Sequence, residues 1–217
     1  LGISNFQYPN YIGTIQDFIN TFFTKKAFHL ILGDQEFNII DDEEYQEVFE
    51  EIFEEQKPDW YTYSIPSVSK GNPRLHISND LSFSFTSNVK ISYRDSFNKS
   101  LKILFGQGIV TNLQCLEMAN WFIEQYTEQI RKAIQSRFRY VLLDEAQDTS
   151  QLQYEILNKL FEDSNVIFQK FGDPYQALYS IFDGNNDAWV PSKEIAVPYE
   201  EISETSRFGT TIANIIK

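Results

Sequence analysis

The most constraining feature of this 217-residue sequence is an apolar run that stops at two adjacent acids. The run, FRYVLL at 138–143, has the length of a strand and leads directly into Asp144 and Glu145. Continuous apolar strands are typical of parallel sheets buried on both faces. A helix-like segment at 150–162 and a second strand-like run, NVIFQKFGD at 165–173, follow. This order predicts a strand–helix–strand crossover in an α/β fold.

Carboxylates gather at the predicted carboxyl edge of this sheet, where open parallel sheets bind ligands. One strand carries Asp144 and Glu145 to that edge, and the other carries Asp173. Adjacent carboxylates repel unless a cation or water shares their charge. Mg²⁺ bound to nucleotide phosphates meets that need, so the pattern favours nucleoside triphosphate hydrolysis over its rival, a two-metal nuclease. Asp148 is instead expected to cap the next helix, with Gln151 completing a capping box.

The remaining segments predict further helices and a small β-rich region. Apolar residues recur at helical spacing in 13–32, 41–57 and 111–136. Between them, 60–105 holds short β-prone runs, among them NVKISYRDS and SLKILFG, separated by Gly, Pro, Asn and Ser. The sequence therefore predicts a β-rich insertion between helical segments, with its strand pairing left open.

The net charge of −13 is concentrated in one predicted helix. Residues 41–57 hold nine acids and one lysine, so they carry −8 and the rest of the chain −5. An apolar stripe on the same helix indicates that the acids form a solvated face. The total charge therefore does not exclude a nucleic-acid groove elsewhere.

The sequence contains few candidate zinc ligands and no segment that could span a membrane. The single cysteine, Cys115, excludes an internal disulfide and is predicted to pack in a core. His29 and His76 lack partners at ligand spacing. No apolar run can cross a bilayer and no signal-peptide pattern is present, so we expect no membrane partner and a cytoplasmic location.

Four segments in order along the chain resemble motifs of the UvrD/Rep/PcrA-like superfamily 1 DNA helicases. VLLDEAQDTS at 141–150 resembles motif II, and FGDPYQALYS at 171–180 resembles motif III. ETSRFGTTIAN at 204–214 resembles motif IV, and YIGTIQDFI at 11–19 resembles motif Ib, with Gln16 in place of the usual histidine. After motif III the usual GFRGA becomes SIFDGNN.

The resemblance implies a binding site for ATP and Mg²⁺ around motif II. Asp144 would hold Mg²⁺, and Glu145, close to the ion, would be the general base that activates water. Gln147 and Asp148 would tie the nucleotide site to motif III, where Asp173 belongs to the same site.

The same resemblance assigns phosphate-sensing and DNA-facing residues. Gln176 would sense the terminal phosphate, and Arg207 would stabilise charge on it in the transition state. Tyr179 would face single-stranded DNA, and Thr14 and Phe18 would lie near its backbone. For Tyr179 and Phe18, a role in the core is an equal alternative.

The family's fold would be a RecA-like P-loop NTPase domain with an inserted subdomain. Residues 1–32 and 136–217 would form part of that domain, and 33–135 a mixed helical and β insertion of the 1B type. No G-x-x-x-x-G-K-[ST] loop occurs in the sequence. We therefore expect a fragment whose partners include the rest of its own chain, namely the phosphate-loop segment and a second RecA-like domain.

The expected function of the intact protein is ATP-dependent movement on single-stranded or duplex DNA, in the 3′ to 5′ direction. The isolated fragment is expected to be inactive. Two alternatives stay open: a non-hydrolysing nucleic-acid-binding module, and the helicase part of a helicase–nuclease system for repair or phage defence.

Overall fold

The computed structural model describes residues 8–173, a mixed helical and β arrangement around two hydrophobic cores. The helices are α1 (Ile15–Ile19), α2 (Lys25–Leu32), α3 (Asp42–Gln56), α4 (Val68–Gly71), α5 (Ile91–Gly106), α6 (Asn112–Gln125), α7 (Thr127–Arg137) and α8 (Gln151–Phe161). The strands are β1 (Asn38–Ile39), β2 (Arg74–Ile77), β3 (Phe83–Thr86), β4 (Ile109–Val110), β5 (Tyr140–Leu143) and β6 (Ile167–Lys170). They pair as β1 with β4, β2 with β3, and β5 with β6.

The helix predicted at 13–32 is present, with a π-helical turn at Asn20–Thr24 between α1 and α2. Thr14 caps its start by accepting a 3.0 Å hydrogen bond from the backbone N–H of Asp17. The hydroxyl of Thr24, within the π-helical turn, donates 3.0 Å to the backbone carbonyl of Cys115 on α6. The wide turn therefore lies directly against α6.

The acidic helix is confirmed as α3. Asp41 caps it by accepting from the N–H groups of Glu43 and Glu44 at 3.0 and 2.9 Å. Phe49 and Phe53 are fully buried, and the acids lie on the opposite, exposed face. A solvated acidic face over an apolar stripe is thus the observed arrangement.

The β-rich interpretation of 60–105 is wrong for most of that region. Only β2 and β3 form there, as an antiparallel hairpin, whereas both NVKISYRDS and SLKILFG contribute to the 16-residue helix α5. The physical reason is the spacing of buried side chains, since Phe97, Leu101 and Leu104 recur every three or four residues and pack into the core.

The strand–helix–strand unit is confirmed as β5, α8 and β6, with parallel strands in register from Tyr140 beside Ile167. Burial on both faces is not found. Leu143 is buried, but Tyr140 and Leu142 are 57% and 64% exposed. Their side chains project to a face of the strand pair that no element within residues 8–173 covers, so burial alternates along β5.

The two cores meet along α6. One contains Cys115 and Met118 together with most buried side chains of residues 27–110, and the other contains Leu116, Ala119 and Ile123 together with the β5–α8–β6 unit. No helix in the described part is long and apolar enough to cross a membrane. The boundaries at 32/33 and 135/136 stay a prediction.

Candidate nucleotide-binding site at the carboxyl edge of the parallel strands

Backbone hydrogen bonds extend beyond the ends of β5 and β6 and join the two segments that were predicted to meet. The N–H of Phe171 donates a 2.8 Å hydrogen bond to the carbonyl of Leu143. The N–H of Ala146 donates another, also of 2.8 Å, to the carbonyl of Phe171. Residues 144–146 therefore lie beside 171–173 at the carboxyl edge of the strand pair. Open parallel sheets place ligands at this edge.

Glu145 turns the chain sharply at the strand tip. Its backbone lies in the left-handed region, with φ 49° and ψ 45°, and the short 3₁₀ helix Ala146–Asp148 follows. A non-glycine residue pays roughly 1–2 kcal/mol for this conformation, and such strain gathers at functional sites. The Asp144 carboxylate supports the turn by accepting a 3.0 Å hydrogen bond from the N–H of Glu145.

Gln147 links the acid of one segment to the backbone of the other. Its side chain is 2% exposed. The amide nitrogen donates a 2.7 Å hydrogen bond to Glu145 Oε2, and the amide oxygen accepts a 3.0 Å hydrogen bond from the N–H of Asp173. One buried amide therefore fixes both the position of the Glu145 carboxylate and the start of the segment after β6.

The predicted capping role of Asp148 is wrong. Ser150 is the N-cap of α8, and Gln153 completes the capping box with it. Asp148 instead ends the 3₁₀ helix, because the chain needs two more residues to leave that turn before α8 begins. Asp148 Oδ1 and Thr149 Oγ1 are buried without a hydrogen-bond partner among the described residues.

Comparison with known proteins decides the family. The family model described as UvrD/REP helicase N-terminal domain matches residues 7–189. The chain belongs to this family. It is also 45% identical over 56 residues to the ATP-dependent DNA helicase Rep of Escherichia coli (strain K12), a stretch that covers 26% of this chain and 8% of Rep. The aligned stretch is thus a small part of that relative's length.

The motif Ib region of this UvrD/REP chain packs against α8 and the second core. Phe18 is half-buried, and its ring lies 4.9 to 6.3 Å from the rings of Tyr11, Phe22, Phe23, Phe138 and Phe161. Thr14 is exposed, and its hydroxyl is 2.8 Å from Asp17 Oδ2. The structure therefore brings Phe18 into an aromatic cluster and leaves Thr14 on the surface.

A contact that sequence reasoning missed involves the residue in the position of the family's histidine. The oxygen of the Gln16 side chain accepts a 3.5 Å hydrogen bond from Gln153, the capping-box residue of α8. The nitrogen of Gln16 donates to Asn20 at 3.1 Å. Motif Ib is thereby connected to the helix that follows motif II, and no local sequence pattern signals a pair 137 residues apart.

Asp144 and Glu145 are the candidate metal ligands at the exposed strand tip. No group of three or more His, Cys, Asp or Glu side chains within residues 8–173 could hold a metal ion. Mg²⁺ in a nucleotide site needs only one or two carboxylates, completed by water and phosphate oxygens, and Asp144 at the exposed tip can supply one. Gln176, Tyr179 and Arg207 lie outside the described residues.

Proposed function

We propose that this chain supplies the motif II and motif III side of an ATP-dependent DNA helicase that moves 3′ to 5′ along single-stranded DNA. The observation that carries the proposal is the Gln147 bridge between the Glu145 carboxylate and the segment after β6. Membership of the UvrD/REP family and the similarity to Rep support it.

In this proposal the two adjacent acids have different tasks. Asp144 would hold Mg²⁺, and the bound ion would supply positive charge to offset that of the phosphates. Glu145 orients the attacking water and accepts its proton. Its left-handed backbone and its bond to Gln147 hold the carboxylate in one position before the nucleotide arrives, which is how a preorganised site lowers a barrier.

The remaining roles belong to the same proposal. Gln176 and Arg207 reach the terminal phosphate, Asp173 lies beside it, and Tyr179 and Thr14 face the DNA. The dense packing of Phe18 favours a supporting role for its ring in the core, behind the DNA-facing surface.

The decisive experiment is ATP hydrolysis by the full-length gene product, with and without single-stranded DNA. We expect DNA-stimulated turnover in the wild type and at least about a hundredfold lower kcat in Glu145→Gln, with ATP binding largely kept, because the amide has the shape of the acid but no base. The 217-residue chain alone is the control and should not turn over ATP.

Two results would contradict the proposal. Absence of ATP hydrolysis in the full-length protein would favour the non-hydrolysing module. Loss of ATP binding in Glu145→Gln would make Glu145 chiefly a metal-holding residue. Polarity is tested separately, by unwinding of duplexes with a 3′ or a 5′ single-stranded tail, and unwinding only from the 5′ tail would refute the stated direction.

A further inference from the structure

A groove lies between the N-terminal helical segment and the α6–α7 pair, away from the strand tips. One wall carries Phe22, Lys26 and Leu30, four residues apart, and the other carries Tyr126, Ile130 and Arg137. The cavity volume is about 650 Å³. Residues four or seven apart lie on one face of a helix, so each wall is a stripe along its helical segment.

The floor and walls of the groove are largely apolar and partly open to solvent. Leu30 and Tyr126 are 38% and 37% exposed, and Ala133 is exposed as well. Phe23 and Ile134 are buried at the bottom. Contiguous exposed apolar surface bounded by polar residues is typical of interaction sites.

The charge of the groove is opposite to that of the chain. The described residues that line it include the cations Lys26 and Arg137 and no carboxylate, although the chain carries −13. Arg137 is held in place, since its Nε donates 3.1 Å to the carbonyl of Pro9 and its guanidinium lies 4.8 Å from the centre of the Phe22 ring. A fixed guanidinium favours a carboxylate partner.

We propose that this groove binds an amphipathic helix of a partner protein, with an apolar stripe flanked by Asp or Glu. The lining residues of the N-terminal wall run from Phe22 to Leu30, which at 1.5 Å per residue is a length of roughly 12 Å, or about two helical turns. Helix-in-groove binding uses such paired apolar walls. A nucleic-acid strand fits less well, because two cations neutralise few phosphates and the apolar floor offers them no donors.

The test uses three synthetic 16-residue helical peptides that share one apolar stripe and carry Glu, Gln or Lys on the flanks, measured by fluorescence anisotropy against the 217-residue chain. We expect the Glu peptide to bind with a Kd of tens of micromolar or tighter and the Lys peptide at least about tenfold more weakly. A single-stranded oligonucleotide of similar length is the fourth probe.

Matched variants locate the binding surface. Lys26→Glu should lower the affinity for the Glu peptide at least about fivefold and raise the affinity for the Lys peptide. Lys25 is an exposed neighbour that does not line the groove, so Lys25→Glu should change either affinity by less than about twofold. Ala133→Gln fills the groove without changing its charge and should weaken the binding of all three peptides. Ser136→Gln, at an exposed neutral residue outside the groove, is its control. Circular dichroism checks that each variant is folded.

Several outcomes would overturn the proposal. The first is that the Glu peptide does not bind at about 100 µM. The second is that Lys25→Glu and Lys26→Glu change peptide affinity equally. The third is that the oligonucleotide displaces the peptide, which would make the groove a nucleic-acid site. A concentration-dependent dimer that Ala133→Gln abolishes would instead make a second copy of the chain the occupant. None of these results bears on ATP hydrolysis, so this proposal and the proposed function fail independently.

Discussion

The side-chain amide of Gln147 donates a 2.7 Å hydrogen bond to Glu145 Oε2 while its oxygen accepts from the N–H of Asp173. Both ends of the amide are used, and the side chain is 2% exposed. A glutamate at this position could keep the bond to Asp173 but would oppose the Glu145 carboxylate at hydrogen-bond distance. The site therefore requires a neutral side chain with a donor at one end and an acceptor at the other.

We expect Gln147→Glu to lower the free energy of unfolding of the 217-residue chain by about 1–3 kcal/mol at pH 7, because it replaces a bond to a charged acceptor with repulsion. Urea unfolding followed by circular dichroism measures the loss. Gln125→Glu, at the exposed end of α6, is the control, and an equal loss in that variant would contradict the prediction.

The second prediction concerns the glycine that precedes β4. Gly108 has φ +79°, and a Cβ there would lie 1.8 Å from the carbonyl oxygen of Glu36. Gly108→Ala should therefore cost several kcal/mol, since both the left-handed backbone and the contact with a neighbouring main chain are unfavourable. Thermal unfolding measures the loss.

A nearby glycine provides the matched control. Gly106 is the last residue of α5, and a Cβ there would meet only the Phe83 ring at an ordinary 3.9 Å. Gly106→Ala should be neutral or stabilise by up to about 1 kcal/mol through helix propensity. If the two variants unfolded at the same temperature, the close approach at Gly108 would not be real.

The features predicted correctly from the sequence depend on short, local stretches of residues. The acids at the end of FRYVLL and the crossover into the next strand follow from short, continuous patterns, and the structure has both. The left-handed backbone of Glu145 has no such signal, because glutamate carries no preference for that region. The bond between Ala146 and Phe171 accompanies the turn, and the sequence does not specify that pairing.

The two wrong predictions, the β-rich region and the Asp148 cap, depend on structure beyond the local sequence pattern. The run NVKISYRDS has β-prone residues, yet Phe97 and Leu101, which follow within the same helix, make it part of α5 through packing in the first core. Tertiary burial overrode local propensity there. Asp148 satisfied the capping pattern as well as Ser150 does, and only the 3₁₀ turn between the strand and α8 separates them.

The third prediction uses the single cysteine as a probe of the junction between the cores. Cys115 is fully buried, and burial raises the pKa of its thiol to about 12. The folded chain should therefore react with a disulfide reagent at pH 8 at least about a hundredfold more slowly than the urea-unfolded chain, because only the thiolate attacks and the site must first open.

An added thiol on the same helix gives the control. Leu113 is 37% exposed, so Leu113→Cys should introduce one rapidly reacting thiol while Cys115 stays slow. Rapid reaction of the wild-type chain would mean that α6 opens readily and that the two cores are not held together along it.

The last prediction follows from a largely buried carboxylate, 11% exposed, that joins α6 to the β2–β3 hairpin. Glu117 Oε2 accepts a 3.1 Å hydrogen bond from the N–H of Leu75, and Oε1 lies 3.5 Å from a guanidinium nitrogen of Arg74. Burial raises the pKa of Glu117, and the bond from Leu75 and the charge of Arg74 only partly oppose this. Glu117→Ala should cost about 1–3 kcal/mol, because the N–H of Leu75 loses its acceptor.

The pH dependence has a definite sign. Because the pKa of Glu117 is higher in the folded than in the unfolded chain, its contribution to stability is fully present below its ordinary value of 4.5 and is lost as pH rises through the folded pKa. Glu117→Gln keeps an acceptor for Leu75 and cannot ionise, so its free energy of unfolding should rise relative to wild type between pH 4 and pH 7. Urea unfolding at several pH values measures the difference, with the exposed Glu36→Gln as control. A wild type that gains stability over Glu117→Gln across the same range would show that the ion pair with Arg74, rather than burial, dominates at this junction.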